Sequence, residues 1–521
     1  MDKKKTVKTI SYVMMLSLVG KLMALFREVM LGRAYGTGME ANAFLAASRI
    51  PRVFFDAIFA SAITMSFIPI FSKYMKQGGK EKAFEFSNVF VTYICLFTIV
   101  FSIFGASFSD FFAVLFANKF PQETLELCSK LLKILFPTMI FTGIAFSFVG
   151  ILQSLENFLV PAIISVVFNG IIIAYFFGPV STWGIYGLAV IYVIAWLMQV
   201  LVQVPSLHRN GYRFRPSLSL KSGYMKEVGV LLLPVMLSTW VQPFNFFINT
   251  KFASGFYEGS GTSAMEYSNN LYTMIIAIFV LSVMNVVFPR LSKLINDDDM
   301  EGAEKLTGET LGISLIFVIP MMIGIMLLST ELVSLVFGGN EFDAFSIKIT
   351  SYSLFYFSLG MIGYTFQNVL SRVYFAARQT RVPVIGAVIA IVANYLLCIP
   401  LSQKMDIGGL ALASSISVFI NGLVLMLPLL KKEKQVFDKD FFVDLVKISV
   451  SSAAMGFFLY YMKAPVFSLP VQGLPGDILK ILLLVALSVL VYAVLIILFR
   501  VRHVRTMMEV LNMKKRGRNE V

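Results

Sequence analysis

The chain of 521 residues is poor in charge, in cysteine and in histidine. Only 14% of its residues are Asp, Glu, Lys or Arg, against about 25% in soluble domains. That excludes an ordinary soluble globular protein. Three cysteines give no readable disulfide framework: Cys95 and Cys398 lie in apolar segments and Cys128 near a helix start. The two histidines, His208 and His503, fall in basic sequence, so neither metal nor triad chemistry is suggested. There is no GxxxxGK[ST] loop, hence no ATP site of that kind, and HExxH, CxxC and GxSxG are missing too. The short loops that read as outward lack clustered acids and histidines, which argues against an enzyme acting on lipid-linked sugars. The alternation of an outer-membrane barrel is also absent.

What is present is grease. Hydrophobic residues make up 57% of the chain, in runs of about 20 residues that read as membrane-spanning helices. Apolar windows lie near 8–33, 41–74, 83–109, 124–152, 158–179, 184–206, 226–254, 264–291, 304–330, 346–376, 382–401, 406–430, 440–462 and 475–500. The fold expected is an all-α polytopic membrane protein of about 14 transmembrane helices. "MDKKK" before an apolar run mimics a signal peptide, but the run continues through Lys21 and Arg27 with no small-residue cleavage site, so a retained first helix is expected.

The net charge is +14. Its placement points to lipid rather than nucleic acid. "KYMKQGGKEK", "HRNGYRFRPSLSLKSGYMKE", "PRLSK", "RVYFAARQTR", "KKEKQVFDK" and "KKRGR" follow alternate helices, while "GTGMEAN", "GPVSTWG", "FYEGSGTSAME" and "FSLPVQGLPGD" carry almost no Lys or Arg. Basic loops stay cytoplasmic, so both termini are expected inside a bacterial plasma membrane. The acid run "DDDMEGAEK" reads as a solvated loop.

An internal repeat runs through the chain. "FIPIFSKYMKQGGKEKA" from Phe67 resembles "VFPRLSKLINDDDMEGAEK" from Val287; Pro69, Ser72 and Lys73 match Pro289, Ser292 and Lys293. "YGLA" at 186–189 matches "GGLA" at 408–411, and Pro161 matches Pro383. The offset spans six helices, so the halves are parallel repeats, as in many transporters. The expected organisation is an N-terminal lobe over 1–215, a C-terminal lobe over 216–432 around a central cavity, and two extra helices with a basic tail over 433–521.

The first two apolar windows carry charges that hydrocarbon disfavours, at about 2.5–3.5 kcal/mol each on insertion scales. Lys21 and Glu28, seven apart, share a helix face, and Arg27 adjoins Glu28. Arg49, Arg52 and Asp56 are spaced i, i+3, i+7 and share another face. Pro51 should kink that helix. Either these groups pair with one another and hold helices together, or they line a cavity that binds an anion; guanidinium forks suit phosphate oxygens. Later windows offer Lys251, Asn269, Asn270 and Asn394, and a lone Asn commonly joins helices.

With the first-helix "RE" followed by "YGTG", and with "ANAFLAASRIP", "FIPIFSKY", "FSLGMIGYTFQNVLSRVYFAARQTRVP" and "GGLALASSIS", the chain resembles the MurJ family of lipid II flippases over about residues 8–430. The resemblance implies a V-shaped cavity with alternating access, and a substrate of undecaprenyl pyrophosphate bearing a disaccharide-pentapeptide. The family's basic pair on the first helix falls on Lys21 and Arg27, with the acid at Glu28. Its acid near the outer end of helix 2 falls on Asn42. Its helix 2 arginine falls on Phe55, one turn from Arg52. Its helix 8 arginine falls on Asn270. A sodium site known in some members falls on Asn249, Asn394, Cys398, Leu410 and Ser414, without the expected carboxylates, so sodium dependence is not expected.

The function expected is export of a lipid-linked peptidoglycan precursor, lipid II, with no cofactor. Arg27, Arg52 and Lys21 would bind the pyrophosphate while Glu28 and Asp56 orient or release them, beside Arg49, Asn42 and Asn270. Membrane lipids, and cell-wall synthesis proteins, are the expected partners. An inside-negative potential favours exit of an anionic head group by about 2.3 kcal/mol per charge per 100 mV. The alternatives are a flippase for another polyprenyl-pyrophosphate glycan, or an integral-membrane enzyme acting on such a lipid.

Overall fold

A computed structural model of the chain describes residues 3–55, 67–178, 180–219, 224–229, 241–339, 341–377, 379, 381–432, 436–471 and 473–502. Every regular element among them is helical. In hydrocarbon a backbone must satisfy its own polar groups, and a helix does so within one segment. The helices, in chain order, are α1 (Lys3–Tyr35), α2 (Met39–Phe55), α3 (Ile68–Ser107), α4 (Ser109–Ala117), α5 (Gln122–Leu135), α6 (Thr138–Ser154), α7 (Leu159–Phe176), α8 (Val180–Arg209), α9 (Val241–Ala253), α10 (Ser260–Asn296), α11 (Met300–Leu327), α12 (Ser329–Phe337), α13 (Ala344–Ser358), α14 (Met361–Ala376), α15 (Arg381–Lys432), α16 (Lys439–Phe467) and α17 (Gly473–Leu498). Each apolar window read from the sequence is mostly helix where it is described. Among the described residues, 7 helices are long and apolar enough to cross a membrane, or 8 if α5 and α6, bent by 43°, form one span.

The chain forms two compact units, residues 1–263 with 339–343, and 264–338 with 344–521. The parallel repeat is visible in the order of elements. A nine-residue helix, α4 in one half and α12 in the other, precedes two consecutive helices, α5–α6 or α13–α14. Left-handed backbone recurs at matching points: Gly36 and Glu258, Gly79 and Asp298, Gly184 and Asp406. Helix breaks fall at Gly79, Gly184 and Asp406, so α3, α8 and α15 each join two straight segments.

Within the first unit, α1 packs on α7, α7 on α8, α2 on α5, and α6 on both α3 and α8. The stretch after α8 is strapped along α3. Backbone N–H groups of Arg215 and Ser217 donate to Asn88 Oδ1 at 3.1 Å and Thr92 Oγ1 at 3.0 Å. Tyr212 is buried edge-on against Phe84 and Phe148. Within the second unit, α14 packs on α15 and α11 on α16, and α16 pairs with α17. The outer faces of α16 and α17 present Phe457, Tyr460, Leu482 and Leu490, as suits contact with lipid.

Candidate substrate recess

Arg27 and Glu28 lie on α1, where straight-chain residues of good helix propensity keep the helix intact through charged positions. Glu28 is only 8% exposed. Arg27 Nη2 donates to Glu28 Oε1 at 2.5 Å, so adjacent residues form an ion pair by folding long side chains toward each other. Arg27 Nη1 donates to Asn169 Oδ1 on α7 at 3.0 Å. The Asn169 amide is oriented by its other end: Nδ2 donates to Ser165 O at 2.8 Å and Gly20 O at 3.3 Å. Those two carbonyls can only accept, which turns Oδ1 toward the guanidinium. Phe168 and Tyr192 flank it, with ring centroids 5.6 and 5.9 Å from Cζ, within cation–π range. The two rings meet edge to face at 5.1 Å. Arg27 is thus held on three sides.

On α2, Arg49 and Arg52 are one turn apart, and both are half-buried. The Arg49 guanidinium lies 5.2 Å from the Phe246 ring centroid. Pro51 sits inside the helix and removes the N–H that would serve the Ala47 carbonyl. Together these side chains line one recess in the first unit. Arg27, Glu28 and Leu31 come from α1; Phe44, Leu45, Ser48, Arg49 and Arg52 from α2; Ile172 and Phe176 from α7; Leu188 and Tyr192 from α8. The recess is partly open to its surroundings. Three guanidinium groups face one carboxylate, whose Oε2 is buried with no hydrogen bond. Such a basic, partly desolvated pocket attracts an anion that can take bidentate hydrogen bonds.

The other expected site residues are distributed differently. Lys21 is exposed on α1 and does not line the recess, although it shares a helical face with Glu28; two turns of helix separate them. Asn42 is fully buried and occupied elsewhere: Nδ2 donates to Thr37 O at 2.9 Å, and Oδ1 accepts from Ser263 N at 3.0 Å. It therefore satisfies a first-turn N–H of α10, as a cap does. Asp56 lies outside the described residues. Asn270 is half-buried on α10 in the second unit.

Of the sodium candidates, Asn249 is half-buried on α9, in the first unit. Asn394, Cys398, Leu410 and Ser414 lie on α15, in the second, either side of its break. Asn394 is buried, and the Cys398 thiol lies 3.7 Å from its Oδ1. Among the described residues, no three His, Cys, Asp or Glu side chains gather to hold a metal. All three cysteines are free.

Sequence reasoning missed Asn169, Phe168 and Tyr192. Asn169 carried a usable signal, because it is a lone amide in the apolar run "SVVFNGIIIAYF", as Asn394 is in its own. The two rings carried none among so many aromatics.

Two units of like topology, broken helices and a basic recess inside one of them mark a membrane transporter built from two parallel repeats. Solved structures share the fold. "Lipid II flippase MurJ, inward closed conformation" superposes with a TM-score of 0.79 at 24% identity, covering 94% of this chain and 98% of that one. A multidrug resistance MATE family transporter of the MOP superfamily gives 0.66 at 15% identity, over 81% and 99%. The family model "Lipid II flippase MurJ" matches residues 31–483. The "Probable lipid II flippase MurJ" of Haemophilus influenzae is 28% identical over 94% of this chain and 98% of its own length. The protein of the same description from Buchnera aphidicola is 25% identical over 94% and 95%. The chain belongs to the lipid II flippase MurJ family. It is a multi-pass membrane transporter and not an enzyme.

Proposed function

We propose that the protein carries lipid II from the cytoplasmic to the outer leaflet of a bacterial plasma membrane by alternating access, both termini remaining cytoplasmic. One observation supports the site assignment: Arg27, Arg49 and Arg52 line a single recess with Glu28. In this reading the recess receives the diphosphate. Arg27, held by Glu28 and Asn169, presents a fixed edge, and Arg49 and Arg52 close on the other phosphorus. Guanidinium forks match phosphate oxygens in plane and spacing, and aromatic walls exclude water that would weaken the charge. The sugar and peptide lie outside the recess, and the isoprenoid tail stays in lipid. Glu28 competes with the diphosphate for Arg27, which keeps binding weak enough for release. On the outer side the product passes to cell-wall synthesis proteins.

Two experiments test this. Expression in a bacterium depleted of its own lipid II flippase should restore growth. Radiolabelled lipid II in proteoliposomes should change leaflet without changing chemical form. Folded protein at the membrane that fails both, yet moves another polyprenyl-diphosphate glycan, would reassign the substrate.

A further inference from the structure

One side of α14, in the second unit, is polar, and the diphosphate recess makes no use of it. Tyr364, Gln367, Asn368, Ser371 and Arg372 are spaced i, i+3, i+4, i+7 and i+8, which puts them on one side of the helix. All five are half-buried. The side that packs on α15 is a different one. A Cβ on Gly363 would lie 2.6 Å from the Phe419 backbone, and the Tyr374 hydroxyl donates to Leu425 O at 2.8 Å. The polar side lies about 100° around the helix from those two contacts.

Hydrocarbon disfavours such a side. Gln367 and Asn368 sit at the middle of a 16-residue helix, and an amide side chain is too short to reach an interface from there. A polar side that is not packed in protein and is unsuited to lipid lines a space open to water or cargo. Its two ends differ in chemistry. At one end Tyr364 meets the buried Tyr272 of α10 edge to face at 6.2 Å, and Tyr272 stacks on Phe357 at 5.9 Å, so the ring is anchored. At the other end is Arg372. Among the described residues it makes no hydrogen bond or ion pair, and the group that acts on its charge is the Tyr364 phenol, not a carboxylate. Between them, Asn368 Nδ2 donates to Tyr364 O at 2.9 Å, which leaves its amide oxygen to accept from a ligand.

We propose that this side of α14 binds the peptide of the cargo, with Arg372 taking a peptide carboxylate and setting the preference for peptide-bearing lipid. The inference rests on the lipid II reading and adds a second contact to it. Tyr364 to Arg372 spans about 12 Å of helix, the reach of about four extended residues. Gln367, Asn368 and Ser371 offer both donors and acceptors, as a peptide backbone requires. A guanidinium without an acid partner suits a carboxylate, which it can hold by two parallel hydrogen bonds.

The test is transport by the full chain in proteoliposomes. The cargoes are lipid II, lipid II with its peptide carboxylates amidated, and the same polyprenyl-diphosphate disaccharide without peptide. For the wild-type protein the half-saturating concentration should be several-fold lower for lipid II than for the other two. Arg372→Gln should bring the ratio between lipid II and the peptide-free lipid close to one, and Arg372→Lys should restore part of it. Equal handling of lipid II and its amidated form by the wild-type protein overturns the proposal, however the variants fold. So does a ratio that Arg372→Gln leaves unchanged, because the arginine then acts on a part that the lipids share or on none. Failure of the wild-type protein to move any of the three overturns the lipid II reading and this inference with it.

Discussion

Asn169 and Arg27, 142 residues apart in the chain, are joined by a hydrogen bond of 3.0 Å from the guanidinium to the amide oxygen. Because Asn169 also donates to the backbone of both α1 and its own helix, it fixes Arg27 from the outside. Glu28 fixes it from within the same helix. An arginine so held loses little side-chain entropy on meeting a ligand.

Arg27→Ala should lower lipid II transport by an order of magnitude or more. It also strands Glu28, so stability should fall by about 3–5 kcal/mol. Arg27→Met combined with Glu28→Gln separates the two effects. Thermal unfolding in detergent should recover while transport does not. Recovered transport would mean that Arg27 only holds helices together.

Asn169 provides a second discrimination. Asn169→Leu frees one edge of Arg27 and should raise the half-saturating lipid concentration several-fold. Asn169→Asp keeps the shape and adds a carboxylate to the recess, and should impair transport more. Titration of transport against lipid II in proteoliposomes gives the order. A merely packing role for Asn169 predicts the reverse, with the isosteric Asp tolerated better than Leu.

Orientation is read from labelling. Arg213 and Glu258 are both exposed. In a protein whose three cysteines have been replaced, Arg213→Cys should react with an impermeant maleimide only after the cells are opened. Glu258→Cys should react in intact cells. Equal labelling of both from outside would reverse the proposed topology.

Transport in sodium and in choline, at fixed potential, should differ little. The candidate ligands Asn249, Asn394 and Ser414 bring no carboxylate, and hard cations favour several oxygen ligands of high charge. A steep loss on sodium removal would place a site elsewhere.

Gly36→Ala should destabilise the first unit. Gly36 has φ +55°, and a Cβ there would lie 2.1 Å from the Glu341 carbonyl oxygen. Left-handed backbone alone costs a non-glycine residue about 1–3 kcal/mol, and the carbonyl must move as well. A Tm unchanged in detergent would show that the loop gives way freely.

The fold was largely legible in the sequence because hydrocarbon imposes one constraint everywhere, and apolar run length reports it. The repeat was legible through Pro69 and Pro289, and the structure carries it further in the matched backbone of Gly184 and Asp406. The site was half legible. Spacing placed Arg49 and Arg52 on one face, and both line the recess. Spacing also put Lys21 with Glu28, and there it failed, because a shared face does not specify depth in the unit. Asn42 was read as a ligand position, whereas burial and the nearby start of α10 make it a cap. Such tertiary partners leave no trace in local periodicity.

The charge balance of the recess bears on how the cycle is driven. A diphosphate esterified at both ends keeps one ionised oxygen on each phosphorus. On the proposed assignment its two charges offset positive charge among the described lining groups, three guanidinium groups and one carboxylate, so the loaded recess is less positive than the empty one. On the same assignment the empty recess returns without that offsetting charge. An inside-negative membrane does work of about 2.3 kcal/mol per elementary charge per 100 mV across the full field. On the proposed assignment more of that work falls on the return stroke, resetting the empty transporter toward the cytoplasm, and more of the outward stroke is left to the lipid gradient.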